Sequence, residues 1–256
     1  MPDLKTTLLQ CELAWENAQD NRQHIEDMLR GLAGTTDLIV LPEMFTTGFS
    51  MNSLANAEQP GGASEQWLQT IAQKLDCAVT GSIAVHAEQG VYNRMLFVTP
   101  HSVAHYDKRH LFRMAGEHER YVAGKDRVVV PWRGWRINLQ VCYDLRFPVF
   151  SRCRNDYDLI LYVANWPAKR RMHWRQLLLA RAIENQACVI GVNRIGSDVN
   201  GLDYSGDSLA VAADGQLLLD MHDDSGIGQV ALDHAALQDY RQGFPCHMDA
   251  DRFHIE

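Results

Sequence analysis

The segment DLIVLPE, at residues 37–43, is a short apolar run that ends in a proline and a carboxylate. A continuous apolar run of this length predicts a β-strand that is buried on both faces. The segments DLILYVA at 158–164 and CVIGVN at 188–193 have the same character. Strands of this kind lie in sheets whose faces are covered by helices, so the three segments predict an α/β fold.

Helices and further strands alternate around these segments. Helical spacing of apolar residues predicts helices over Asn17–Leu32, 67–75, Met172–Gln186 and Ala235–Arg241. The other predicted strands are Leu4–Gln10, Cys77–Val85, Val91–Thr99, Val103–Asp107, Val128–Trp132, Trp135–Cys142, Leu209–Ala213, Gln216–Met221 and Gly228–Leu232. About a dozen strands is too many for one open sheet, so we expect two stacked mixed sheets with helices outside. No linker or repeat interrupts the chain, so residues 1–256 are expected to form a single domain.

The composition disfavours several classes of protein. A hydrophobic share of 46% and a charged share of 22% are typical of a globular chain and not of a disordered one. The formal net charge of −8 disfavours nucleic acid and anionic membranes as partners. Residues 1–10 lack the features of a signal peptide, and no apolar run approaches the length of a membrane span. We therefore expect a cytoplasmic protein.

Metal-ligand spacing is scarce in the sequence. The 6 cysteines form no CxxC pair, the 11 histidines form no HxH pair, and the single HxxxH spacing, His101 and His105, runs into a predicted strand and not along a helix. Zinc sites usually require such spacing, so we expect no metal site.

Three predicted strands run directly into a reactive residue: Glu43, Lys108 and Cys142. Loops at strand ends converge in α/β folds, so these side chains could meet although they lie far apart in the sequence. A glutamate beside a thiol can accept its proton and later return it to a leaving group. A lysine ammonium and the backbone N–H of Tyr143 could stabilise the oxyanion. Such a group suits acyl chemistry at a carbon–nitrogen bond, although each residue by itself is more often a solvated or inert side chain.

The segments that carry these residues resemble the nitrilase superfamily of carbon–nitrogen hydrolases. LPE at 41–43, YDKRHL at 106–111 and VCYDLRFP at 141–148 occur in the order and approximate spacing of that family. YNR at 92–94, NWP at 165–167 and RAIENQ at 181–186 extend the resemblance over nearly the whole chain. The resemblance implies a four-layer α-β-β-α sandwich, a Glu43–Lys108–Cys142 triad and no cofactor.

Two further segments add to the resemblance, and the second resembles one group of amidases within this superfamily more closely than the others. AGEHERYVAG at 115–124 is similar to the stretch in which many members carry a second glutamate. Glu117 stands in the matching position, and Glu119 is its rival. Tyr143 and Asp144 follow the cysteine, where true nitrilases usually have Trp-Glu, so the chain looks most like the YafV-type omega-amidases. This likeness implies omega-amides of α-keto dicarboxylates, such as α-ketoglutaramate, as substrates, a thioester on Cys142, and a homodimer.

A substrate of this kind carries a carboxylate at its far end, which requires a cation or N–H donors. Arg170 and His118 are our candidate ligands for it, and Phe49 and Trp166 are candidate pocket walls.

Other functions remain open from the sequence. One is another amidase or an acyltransferase of the same superfamily, acting on a different small substrate. A second is a catalytically silent binding protein in which Cys142 is only a core residue. A third is a metal-dependent phosphodiesterase on a similar sandwich, although no ordered carboxylate and histidine cluster supports it.

Overall fold

The computed structural model describes residues 2–255, and two six-stranded sheets form its centre. The strands in the described residues are β1 (Leu4–Gln10), β2 (Leu38–Val40), β3 (Ala78–Ala87), β4 (Gly90–Val98), β5 (Val103–Asp107), β6 (Val129–Trp132), β7 (Trp135–Val141), β8 (Leu159–Ala164), β9 (Cys188–Asn193), β10 (Ile195–Ser197), β11 (Asp203–Ser205), β12 (Leu209–Val211), β13 (Leu217–Asp220) and β14 (Gly226–Leu232). The α-helices are α1 (Ala18–Met28), α2 (Ser53–Asn56), α3 (Ala63–Leu75), α4 (Glu117–Arg120), α5 (Pro148–Ser151), α6 (Arg171–Asn185) and α7 (His234–Gly243).

Both large sheets contain parallel and antiparallel neighbours. The first has the order β14-β1-β2-β3-β4-β5, with β1, β2 and β3 parallel and the other pairs antiparallel. The second has the order β13-β12-β9-β8-β7-β6, with β7, β8 and β9 parallel. A separate hairpin joins β10 to β11. The predicted α/β fold with two mixed sheets is therefore confirmed.

Alternate residues of the apolar strands face two different layers. In β2, Leu38 and Val40 belong to the core between the two sheets, whereas Ile39 packs in the cluster that contains α1 and α3. In β8, residues 159, 161 and 163 face the inter-sheet core, and residues 160, 162 and 164 pack in the cluster that contains α6. Both faces of these strands are buried, which explains why their sequences are continuously apolar. The resulting order of layers is helix, sheet, sheet, helix.

Some elements differ from the sequence prediction. Helix α1 ends at Met28 and not at Leu32, and Gly31 beyond it has a φ of +85°. The hairpin of β10 and β11 was not predicted, because each strand has only 3 residues and neither is a continuous apolar run. Within residues 2–255, no helix combines the length and apolar character that a bilayer crossing requires.

The C-terminal helix α7 is held to the second sheet by Arg241, which is 6% exposed. Its guanidinium donates to Asp158 Oδ1 at 2.8 Å and to the carbonyl oxygens of Gln186 and Tyr157 at 2.7 and 2.8 Å. Asp158 also pairs with Arg136, at 2.7 Å. Removing Arg241 would leave Asp158 with Arg136 as its one arginine partner and would take the donor from two carbonyl oxygens.

We therefore expect Arg241→Ala to lower the free energy of unfolding by about 1.5–3 kcal/mol in urea titrations, because a buried carboxylate and two carbonyl oxygens lose a charged donor. Arg30→Ala is the control, since Arg30 pairs with Asp27 on the exposed surface, and it should change stability by about 0.5 kcal/mol or less. Equal effects of the two substitutions would contradict a structural role for the buried pair.

Candidate active site

Two strand ends and one short helix converge on a buried cluster of charges. Glu43 lies in the loop after β2, Lys108 directly follows β5, and Glu117 is the first residue of α4. Lys108 Nζ lies 2.9 Å from Glu43 Oε1, and 3.0 Å from both carboxylate oxygens of Glu117. All three side chains have no exposed surface. The structure thus brings together residues that are 65 and 9 positions apart in the chain.

Neutral donors complete the hydrogen bonding of the two carboxylates. Asn93 Nδ2 donates to Glu43 Oε1 at 2.8 Å and to Glu117 Oε1 at 3.2 Å. The backbone N–H of Asn165 donates to Glu43 Oε2 at 2.8 Å, and that of Phe112 donates to Glu117 Oε2 at 2.5 Å. Hydrogen bonds of this kind favour the ionised form of a carboxyl group, which burial alone would disfavour.

The electrostatics of the cluster keep Lys108 protonated. Burial by itself would lower the pKa of Lys108, but the carboxylates of Glu117 and Glu43 outweigh it and raise that pKa. Burial raises the pKa of the Glu117 carboxyl, and the Lys108 ammonium partly opposes this. An ammonium whose pKa is raised cannot serve as a general base near neutral pH. It can stabilise negative charge that develops beside it.

Cys142 follows β7 and begins a 3₁₀ turn over Cys142–Arg146. Its φ of +45° is in the left-handed region, which costs a non-glycine residue roughly 1–3 kcal/mol and is most often found at functional sites. Burial raises the pKa of the Cys142 thiol, and the negative charge of the Glu43 carboxylate raises it further, against the opposing effect of Lys108. The thiol therefore keeps its proton at rest, with a carboxylate beside it that can accept that proton.

A pocket of about 200 Å³ opens at the cysteine. Cys142, Tyr143, Phe49, Trp166 and Arg170 all contribute to its wall, as the sequence predicts for a substrate pocket. The remaining lining residues are Phe112, Met114, Ala115, Arg146, Asn165, Pro167, Lys169, Leu202 and Tyr204.

His118 is the one predicted pocket residue that the structure does not bring to this wall. It lies on α4, where Nε2 is 3.9 Å from Glu119 Oε1 and Nδ1 is buried without a hydrogen-bond partner among the described residues. The adjacent position 117 is occupied by the glutamate that contacts Lys108, and neighbouring residues of a helix point in different directions. Glu119, the rival of Glu117, is exposed and does not contact Lys108.

Two guanidinium groups give the pocket a positive end. The guanidinium of Arg146 lies 4.7 Å from the ring centroid of Trp166, and that of Arg170 lies 5.5 Å from the ring centroid of Phe112. Within residues 2–255, neither arginine forms an ion pair with a carboxylate. Partial burial and the nearby charge of Arg170 lower the pKa of Arg146. Two unneutralised cations at one wall form a site for an anionic group.

Sequence reasoning assigned no role to Arg146, Asn93 or Asn165. Arg146 stands four residues after the cysteine, but only the direction of the 3₁₀ turn places it in the pocket wall. Asn93 and Asn165 lie in segments that carried the family resemblance, which was the available signal. In the part of the chain that the structure describes, no group of three or more His, Cys, Asp or Glu side chains could hold a metal ion.

Comparisons with known proteins agree with this geometry. The carbon–nitrogen hydrolase family profile matches residues 5–242. The chain is 51% identical to omega-amidase YafV of Escherichia coli (strain K12) over 258 residues, covering 100% of both chains. It is 30% identical to 2-oxoglutaramate amidase of Bacillus subtilis (strain 168), covering 94% of this chain and 95% of that protein.

Solved structures give the same result. XC1258 from Xanthomonas campestris, a CN-hydrolase superfamily protein with an arsenic adduct in its active site, aligns with a TM-score of 0.97 at 44% identity and covers 100% of both chains. An amidase from Nesterenkonia sp. aligns with a TM-score of 0.82 at 26% identity, covering 96% of this chain and 97% of that chain. The resemblance seen in the sequence is confirmed, and this chain belongs to the carbon–nitrogen hydrolase family.

Proposed function

We propose that this chain is an omega-amidase, which hydrolyses the omega-amide of an α-keto dicarboxylate such as α-ketoglutaramate to the dicarboxylate and ammonia. The observation that carries the proposal is the buried Lys108, bonded to Glu43 and Glu117 beside Cys142, at a pocket lined by two arginines that pair with no carboxylate of the described residues. The 51% identity to omega-amidase YafV and the likeness to 2-oxoglutaramate amidase support the choice of substrate.

The first half of the reaction forms a thioester. Glu43 accepts the proton of the Cys142 thiol as the sulfur attacks the amide carbon, because its carboxylate lies close enough to the thiol to raise the thiol pKa. A carbon–sulfur bond forms, and the carbonyl oxygen becomes an oxyanion. The Lys108 ammonium and the backbone N–H of Tyr143 stabilise it. Glu117 holds Lys108 in place through two contacts of 3.0 Å.

The second half releases both products. Protonated Glu43 gives its proton to the amide nitrogen, the carbon–nitrogen bond breaks, and ammonia leaves. Glu43 then takes a proton from a water molecule, whose oxygen attacks the thioester carbon. The carbon–sulfur bond breaks, the dicarboxylate leaves, and the sulfur regains its proton. The cycle uses only side chains of this protein, the substrate and water.

The far carboxylate of the substrate is assigned to the positive end of the pocket. Arg170 and Arg146 provide the charge there, and Phe49 and Trp166 contribute apolar wall to the same pocket. His118 is omitted from the proposal because it does not line this pocket.

Three further properties belong to the proposal. The core between the two sheets draws on residues from Leu4 to Leu237, which supports a single domain. All six cysteines are free, which suits the reducing cytoplasm. A homodimer is supported by apolar side chains that remain exposed on α5 and α6, namely Val149 at 56%, Met172 at 63% and Ile183 at 52%.

The function is tested by incubating the protein with α-ketoglutaramate, measuring ammonia and analysing the rapidly quenched protein by mass spectrometry. We expect ammonia release and the acyl group of the substrate on Cys142, and Cys142→Ala should abolish both. Cys246→Ala is the matched control, since Cys246 lies outside the pocket wall, and it should retain full activity. Ammonia release by Cys142→Ala would refute the nucleophile, and transfer of the acyl group to an amine in preference to water would indicate an acyltransferase.

Glu43→Gln tests two effects of the carboxylate, one on the turnover rate and one on the pKa of the Cys142 thiol. Turnover should fall by about 100-fold or more, because the general base is lost. The pKa of Cys142 should also fall, because the negative charge that raises it is removed while the Lys108 ammonium remains. Thiolate absorbance in the ultraviolet should therefore appear at lower pH in the variant than in the wild-type protein. An unchanged or higher thiol pKa would show that the carboxylate does not act on the sulfur.

Substitution of Arg146 or Arg170 by Met should raise KM for α-ketoglutaramate by about tenfold or more, because a charge-assisted hydrogen bond to the carboxylate is lost. KM for a short amide that lacks a carboxylate should change much less in the same variants. Arg171→Met is the control, since Arg171 is paired with Asp207 at 2.7 Å and should leave KM unchanged. Equal KM changes for charged and uncharged amides would contradict the assignment.

A further inference from the structure

A carboxylate that plays no direct part in the proposed chemistry lies two residues after the nucleophile. Asp144 has no exposed surface, yet it does not line the pocket and does not contact Lys108. Its Oδ2 accepts from the hydroxyl of Tyr106 at 2.7 Å and from the backbone N–H of Val141 at 2.9 Å. Its Oδ1 accepts from the backbone N–H of His110 at 3.0 Å and contacts His110 Nδ1 at 2.7 Å.

The partners of Asp144 are the immediate neighbours of two catalytic residues. Tyr106 and His110 stand two positions before and two positions after Lys108, and Val141 directly precedes Cys142. One buried carboxylate therefore bonds a residue on each side of Lys108 in the chain and the residue directly before Cys142. Lys108 follows β5 in the first sheet and Cys142 follows β7 in the second, so these hydrogen bonds cross from one sheet to the other.

Aromatic packing strengthens the same connection. The ring of His110 stacks on that of Phe147, with centroids 4.0 Å apart and planes within 9°. Phe147 ends the 3₁₀ turn that begins at Cys142. Tyr106 also accepts from the backbone N–H of Arg109, at 3.1 Å. The lysine loop and the cysteine turn are therefore joined as one packed unit, in which the Asp144 carboxylate bonds residues of both segments.

The bond to Val141 has a second consequence. It closes the turn across Cys142, whose φ of +45° is unfavourable for a side-chain-bearing residue. This hydrogen bond between positions 141 and 144 helps to hold the left-handed backbone of Cys142, because its loss would take one donor from a buried carboxylate.

We propose that Asp144 is a positioning residue, which sets the place of the Cys142 sulfur relative to Lys108 through Val141, Tyr106 and His110. The proposal rests on the catalytic roles proposed for Cys142 and Lys108, but it does not depend on which amide is the substrate.

The test compares Asp144→Asn with the wild-type protein in two assays. The variant should react with iodoacetamide at Cys142, and turn over α-ketoglutaramate, about 10- to 100-fold more slowly, because small displacements of reacting groups have effects of this size. KM should change by no more than about twofold, since Asp144 does not line the pocket. Asp158→Asn is the matched control. Like Asp144→Asn, it removes a buried carboxylate, but the partners of Asp158 are Arg136 and Arg241 and not the neighbours of Lys108 and Cys142. It should therefore lower stability and leave both rates unchanged at temperatures where the protein is folded.

A double-mutant cycle keeps the proposal testable if Asp144→Asn does not fold. Tyr106→Phe removes one hydroxyl from the same carboxylate, and His110→Asn removes the stacked ring. Each should slow alkylation of Cys142, and the double variant should be slower by less than the product of the single effects, because both act through one carboxylate. The proposal would be overturned if Cys142 in these variants were alkylated as fast as in the wild-type protein. It would also be overturned if the substitutions changed only KM and left kcat unchanged. If the wild-type protein releases no ammonia from α-ketoglutaramate while alkylation still depends on Asp144, the omega-amidase proposal fails and the positioning role stands.

Discussion

The structure depends on one buried ammonium, that of Lys108, held between the carboxylates of Glu43 and Glu117. Charges are buried in a protein interior only when they are paired and hydrogen-bonded. Satisfying this requirement brings the loop after β2, the end of β5 and the start of α4 to one point. Asn93, Asn165 and Phe112 supply the remaining donors, which is why the cluster can lie fully inside the protein.

The same cluster determines the resting state of the nucleophile. Burial raises the pKa of the Cys142 thiol, and the Glu43 carboxylate raises it further. The single ammonium of Lys108 opposes these effects but does not outweigh them. A resting thiol is less open to oxidation than a thiolate, and its proton moves to Glu43 only as the sulfur attacks a bound amide. Lys108, whose pKa is raised, remains a fixed positive charge for the oxyanion throughout.

The sequence predicted the layers of the fold well because the strands at 38–40 and 159–164 are apolar on both faces. It also indicated that Glu43, Lys108 and Cys142 could meet, since each follows the end of a predicted strand. It did not reveal the contacts of Asn93, Asn165 or Asp144, which join residues 50, 122 and 38 positions apart through loop and turn geometry. His118 and Arg146 show the same limit, because the direction of a side chain in a one-turn helix depends on packing that periodicity does not record.

The most direct measurement is a crystal structure of the Glu43→Gln variant, in which turnover is slow, with α-ketoglutaramate bound. We expect the amide carbon next to the Cys142 sulfur, the amide oxygen within hydrogen-bond distance of Lys108 Nζ and the Tyr143 N–H, and the far carboxylate at Arg146 and Arg170. A bound substrate whose amide oxygen faces away from Lys108, or whose carboxylate lies at another wall of the pocket, would contradict the proposed arrangement.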